Sequence, residues 1–387
     1  MNPEKTRLLT PPQAAALIKT AVAAAVLFAV GAWLSPGRAG AGLLLANVYF
    51  VSLALSALVF VAVQNLTSAG WSVLFRRVPE AMTAYLPAGA AATAAIALGA
   101  RFIYPWAAPD AAAALGGKAV YLNVGMFAAR AAVCWAVWLF FARRLVGLSR
   151  GQDQSGGVGA TRLAAAASAA CVVAFAPTFT VASVDWMMSL EPKWTSTLYP
   201  WYVFAGTFEG GLAALVALVV LLRRRGAFAQ LNEHHLHDLG KYLFAFSCFW
   251  AYLWFCQYLL IWYSNIPEET THFVLRMTPG WQPLFCLNPI VNFVLPFALL
   301  LPAKRKKKER TLLAGAGLIL AGRALDLYML IMPPVLGTHP SLGLSEPAAF
   351  VGLGALFLLA FDRAFASAAA EPVHDPYLEE SRHFAGV

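Results

Sequence analysis

About ten apolar segments recur along the chain, each close to the ~20 residues a helix needs to cross a hydrocarbon core of ~30 Å. They fall near Pro12–Leu34, Ala41–Gln64, Glu80–Phe102, Ala119–Phe141, Thr161–Val184, Tyr199–Leu222, Leu239–Ser264, Pro283–Leu301, Thr311–Met332 and Pro347–Phe365. Within lipid a backbone must satisfy its own hydrogen bonds, and continuous apolar runs without period-two alternation can do so only as helices. The expected fold class is therefore all-α, a polytopic membrane protein. Composition agrees: 60% of residues are hydrophobic and 12% charged, the mean hydropathy is +0.65, and no soluble domain fits between the segments. Lys5, Arg7 and the small residues Ala39–Gly42 imitate a secretory signal around the first span. Its apolar stretch is too long for a signal's hydrophobic region, so a retained anchor is expected.

Alternate loops carry very different numbers of basic residues. One face collects most of the 28 Lys and Arg, while the other holds only Arg38, Arg101, Lys118, Lys193 and Arg276, with Lys19, Arg130 and Arg323 inside spans. This bias predicts both termini on the cytoplasmic side of a bacterial inner membrane. It also accounts for the net charge of +9 without nucleic acid. The run Lys304, Arg305, Lys306, Lys307 and Lys308 falls where anionic headgroups would meet it, and reads as a lipid contact.

The five cysteines are scattered singly through spans, with no C-x-x-C pair and no haem-attachment motif, and all seven histidines are expected in loops or the tail. Iron–sulfur clusters, haem and a metal site are therefore not expected in this chain. The trio His234, His235 and His237 reads as part of a solvated loop, and the segment Glu371–Arg382 as a flexible or partner-bound tail.

A charge near the bilayer centre costs at least ~2.5–3.5 kcal/mol on insertion scales, which singles out Arg130, Glu209, Arg323 and Asp326 as candidates for a proton path. Glu209 follows Pro200 by a helical distance of ~15 Å, near the midplane. It sits in Gly206-Thr-Phe-Glu-Gly210, whose glycines permit close helix approach. Arg323 and Asp326 share one helical face and can neutralise each other. Glu209 has no local cation, so its counter-charge is either Arg130 or Arg323 from another helix, or a proton. Gln64, Asn65, Asn123, Asn288 and Asn292 add polar groups, and Asn288-Pro289 with Pro296 breaks the eighth span, freeing carbonyls that need a protein-lined site.

Two loops on the face poor in Lys and Arg mix tryptophan, methionine and acids where a linker would carry Gly and Ser. Asp185, Trp186, Glu191, Trp194, Glu268, Glu269 and Trp281 are candidates for partner docking, against the alternative of an interfacial aromatic belt.

The strings Ser183-Val-Asp-Trp-Met-Met-Ser-Leu-Glu-Pro-Lys-Trp194 and Asp238-Leu-Gly-Lys-Tyr-Leu-Phe, continuing from Phe249 to Glu269, closely resemble a polytopic membrane component of bacterial alternative complex III, a quinol:cytochrome c oxidoreductase. That component is of the NrfD-like, polysulfide-reductase-type membrane family, and the resemblance extends over essentially the whole chain. It implies an anchor helix in residues 1–40, a first four-helix bundle in 41–184, a second in 185–332 with outer-face loops, and a last span with its tail in 333–387. It further implies a second NrfD-like membrane subunit, an outer-face iron–sulfur protein and multihaem cytochrome c subunits as partners. The iron–sulfur clusters and haem c would lie in those partners, and quinol or quinone is the one cofactor left open for this chain. In one respect the chain departs from the pattern. NrfD-like proteins with a quinol pocket place a histidine among the first-bundle helices, and here the first histidine is His234. The expectation is thus a chain giving structural support and proton movement more than oxidation chemistry. An independent secondary transporter is the alternative reading, from the ten spans, the midplane charges and the broken eighth span.

Overall fold

A computed structural model describes residues 7–386. Lys5, which contributes to the charge bias, lies outside the described residues. The chain is an all-α polytopic membrane protein, with ten helices among the described residues long and apolar enough to span a bilayer. We label the helices used below α1 (Pro11–Leu34), α2 (Pro36–Leu66), α3 (Arg77–Leu98), α4 (Val124–Ser155), α5 (Val158–Trp186) and α6 (Tyr199–Arg224). They continue as α7 (Glu233–Ser264), the short α8 (Pro267–Arg276), α9 (Gln282–Leu300), α10 (Glu309–Ile331) and α11 (Ser345–Ala366).

Helices α2, α3, α4 and α5 pack in one ring and α6, α7, α9 and α10 in another, while α1 lies along α11. Helix α2 touches both rings and α11. Its apolar segment is wholly buried, whereas that of α1 is only 11% buried. A helix that is apolar on every side belongs either inside a bundle or in lipid, and these two helices occupy the two environments.

Contacts between loops define two ends. At the basic end, Arg223 and Arg224 pair with Glu309, and Lys307 with Glu233. At the tryptophan end, Trp106 donates to Ser189, Trp194 to the Glu269 carbonyl and Lys118 to the Pro192 carbonyl.

Several boundaries differ from the sequence expectation. Helix α4 begins at Val124 and runs to Ser155, well past the expected Phe141. Its polar extension leaves the apolar slab and is held by the buried Arg77, which donates to Ser149 and Asp153. The segment Glu371–Arg382 is not loose but tied to the chain itself: Asp375 pairs with Arg76, and the Ser381 hydroxyl accepts from the Leu74 amide and donates to the Trp71 carbonyl. Charge complementarity with the basic end holds this tail down. His235 is fully buried in the first turn of α7, under the Phe384 ring, and is not part of a solvated loop.

Candidate functional site

The glycines around Glu209 do allow close approach, and a side chain as well as a neighbouring helix fills the space. A Cβ on Gly206 would lie 2.3 Å from Arg323 Nη1, and one on Gly210 would lie 3.2 Å from Arg323 Cγ. The guanidinium of α10 thus lies in a slot on α6. A Cβ on Gly211 would lie 2.1 Å from the Ser56 side chain, so the third glycine admits α2. Gly206→Ala is expected to push the guanidinium from its slot and destabilise the protein by about 1–3 kcal/mol, read as a lower unfolding temperature in detergent.

Arg323 Nη1 donates to Asp326 Oδ2 at 2.6 Å, and its Nη2 to Thr207 Oγ1 at 3.4 Å. Asp326, wholly buried, also accepts from the Tyr202 hydroxyl, from Asn288 Nδ2 at 3.0 Å and from Trp250 Nε1 at 3.4 Å. One carboxylate therefore gathers donors from α6, α7, α9 and α10, which satisfies the lone pairs a buried charge exposes. The break in α9 serves this cluster. A π-turn over Ile290–Val294 follows Pro289, and the carbonyls it frees find partners: the Asn288 carbonyl accepts from Asn292 Nδ2 at 3.0 Å, and the Asn292 carbonyl from the Ser247 hydroxyl at 2.7 Å.

Glu209 stands apart within this network. It is 0% exposed, and neither carboxyl oxygen has a hydrogen-bond partner among the described residues. Asp326 and Arg323 are its electrostatic neighbours, while the Ser247 hydroxyl beside it is committed to Asn292. A buried polar group left without partners needs a reason.

Of the four proton-path candidates, Glu209, Arg323 and Asp326 come together and Arg130 does not. Arg130 sits near the tryptophan end, with its guanidinium 3.7 Å from the centre of the Tyr121 ring and forked onto Asp185 at 2.6 and 3.2 Å. That pairing corrects two expectations, because Asp185 is 1% exposed on α5 and is an internal ion-pair partner, not a docking group.

The expected docking surface is mostly interior. Trp186 is buried against Trp135 and Trp138, Trp194 stacks on His272 at 4.0 Å, and Trp281 is 0% exposed, donating to the Gly337 carbonyl at 2.6 Å. Indoles offer large apolar area and one donor, and here they seal the ends of the rings. Glu268 remains exposed and Glu269 half-buried. Among the lysines expected to contact lipid, Lys306 is buried: Nζ donates to the Leu300 and Leu301 carbonyls at 3.0 and 3.3 Å, capping the end of α9, and lies over the Phe244 ring. Lys304, Arg305 and Lys308 are exposed, and Lys307 pairs with Glu233.

Sequence reasoning missed the cluster that continues the network toward the tryptophan end. The buried Arg276 donates to the Met329 and Leu330 carbonyls at 2.8 and 3.0 Å, to the His272 carbonyl at 2.8 Å and to Glu191 Oε1 at 2.8 Å. The first two belong to the last turn of α10, so Arg276 caps the helix that carries Asp326. Between this cluster and Asp326 lies a cavity of about 20 Å³, lined by Tyr199, Tyr202, Gln257, His272, Arg276 and Asn288, enough for a water molecule. The acids and arginine are visible in the loops, but nothing in their spacing places them over one cavity.

Burial alone would raise the Glu191 carboxyl, but Arg276 and His272 against it hold it down at about 2. Burial, then the Arg276 guanidinium, push His272 down to about 4, against the pull of Glu191. At neutral pH His272 is therefore uncharged, and Nδ1, 3.0 Å from a carboxylate that can only accept, carries its proton. Between pH 6.5 and 4 an unfolded chain binds a proton at this histidine that the folded one does not, so stability falls on acidification. Below pH 4.5 the depressed Glu191 adds a loss in the same direction. The expected decline from pH 7 to 4 is at most about 4 kcal/mol, and His272→Gln flattens the upper part of the curve in thermal unfolding at stepped pH.

Comparison with protein-family models and with curated proteins returns no match for this chain.

Proposed function

We propose that the chain is an integral membrane subunit of a quinol-oxidising respiratory complex of the alternative complex III type, supporting the assembly and carrying protons part of the way across the bilayer. The observation that carries the proton role is Glu209, a fully buried carboxyl without a hydrogen bond or ion pair of its own among the described residues, beside Arg323 and Asp326. Such a group can gain or lose a proton without breaking a bond to a neighbour. From it the side chains of Asp326, Tyr202 and Asn288 lead to the water-sized cavity and on to His272 and Glu191 at the tryptophan end. Toward the basic end α6 has no ionisable side chain before Arg223, about 20 Å away. On α6 the relay therefore has no continuation toward the basic end, and the polar side chains named above lead toward the tryptophan end.

The assembly rests on the resemblance carried by Ser183–Trp194 and the string that begins at Asp238 and resumes from Phe249 to Glu269. In this reading the tryptophan end faces outward beneath an iron–sulfur protein and multihaem cytochromes c, a second NrfD-like subunit lies alongside, and both termini are cytoplasmic in a bacterial inner membrane. Those partners hold the redox centres, and quinol gives up its electrons to them and its protons at the outer face. Glu209→Gln and Asp326→Asn in the assembled, vesicle-reconstituted complex are the test. The expected result is a reduced proton-to-electron ratio with haem content and subunit composition intact, and an unchanged ratio discards the proton role. The π-turn in α9, at the level of this network, favours an independent secondary transporter as the second reading, because transporters bind their cargo at broken helices near the midplane.

A further inference from the structure

Helix α1 packs on α11 but stands away from α6, and between them runs a groove of about 540 Å³. Leu8, Leu9, Ala16, Leu17, Leu221 and Leu358 make its body, and Gln13, Arg224 and Arg225 lie at its basic-end mouth. The volume is in the range of specific ligand sites. From Gln13 to Thr20 the groove follows α1 for about 10 Å into the apolar slab.

The mouth is cationic and accessible. Arg224 is 43% exposed and uses Nε on Glu309 at 3.0 Å, while Arg225 is exposed and makes one bond, to Gln13 Oε1 at 3.2 Å. Arg223 shares the same Glu309 and Asp362 lies at the floor, so three guanidiniums outnumber two carboxylates and the mouth keeps a net positive charge. The floor is fixed in place, because Asp362 on α11 accepts from the Leu8 and Leu9 amides at 2.7 and 2.9 Å and ties the start of the chain across the groove.

We propose that this groove binds an anionic glycerophospholipid of the surrounding leaflet, its phosphate held by Arg224 and Arg225 and one acyl chain lying between α1 and α6. Planar guanidiniums match phosphate oxygens in pairs, and an apolar trough entered from the bilayer matches an alkyl chain. A phosphate without a chain leaves the trough unfilled, and a zwitterionic lipid sets its own cation against the arginines. None of Lys304–Lys308 lines the groove, and the proposal does not depend on the proton role above.

The test is native mass spectrometry of the full-length protein, in the assembly in which it is extracted, after delipidation and addition of phosphatidylglycerol or phosphatidylcholine. The expected result is retention of phosphatidylglycerol over phosphatidylcholine. The double variant Arg224→Gln/Arg225→Gln should lower that retention about ten-fold, and Ala16→Trp, which fills the trough and leaves the charge alone, should lower it comparably. Lys304→Gln/Lys308→Gln should retain lipid as the parent does. Equal retention by the arginine variant overturns the proposal. So does loss in the arginine variant with full retention by Ala16→Trp, which would mean a diffuse surface attraction.

Discussion

Replacing Arg323 with methionine is expected to cost about 3–5 kcal/mol of stability, the loss typical of breaking a buried ion pair from one side. The variant leaves Asp326, 0% exposed, with the neutral donors Tyr202, Asn288 and Trp250 and no cation. It also empties the slot between Gly206 and Gly210, which methionine fills only in part. The companion variant Arg323→Met/Asp326→Asn removes both charges and should regain much of the loss, because the desolvation cost disappears together with the attraction. Thermal unfolding in detergent of the parent, the single and the double variant reads the difference. Equal loss in the single and double variants would show that the slot, and not the charge, is what matters.

Arg276→Met is the second large effect, again about 3–5 kcal/mol, since four acceptors lose their donor at once. Here the damage is local. The Met329 and Leu330 carbonyls at the end of α10 become orphans, and Glu191 keeps only His272. Hydrogen exchange should rise in α8 and the last turn of α10, with α2 unchanged in its buried position between the rings. Uniform exchange across the chain would contradict a cap that holds only the tryptophan end.

The number and position of the spans were legible because a bilayer imposes a length on any apolar run. Glu209, Arg323 and Asp326 were legible for a related reason: a charge in such a run stands out, and its cost demands a partner or a purpose. Their arrangement was not. The i,i+3 spacing gave Arg323 a partner in Asp326, but only packing sends Arg130 to Asp185 and lays Arg323 in the Gly206 slot. The tryptophans misled because the same indole suits a belt, a docking surface or a buried seal, and composition does not choose among them. Lys306 was hidden in a run of like residues, though it is the buried one of them and turns back onto the Leu300 and Leu301 carbonyls at the end of α9. His272 and Arg276 read as loop residues because α8 is short and lies outside the spans, where no bilayer fixes a length. The buried polar cluster therefore emerges from contacts between segments far apart in the chain, such as Glu191 with Arg276, which no local pattern encodes.

The measurement that bears most directly on the proposed role is extraction of the tagged native protein in mild detergent, followed by a visible spectrum and identification of what co-purifies. A c-type haem spectrum together with an iron–sulfur protein and a second NrfD-like subunit is the expected result. A colourless protein that purifies alone and moves a solute in vesicles would contradict that role and leave the transporter reading in its place.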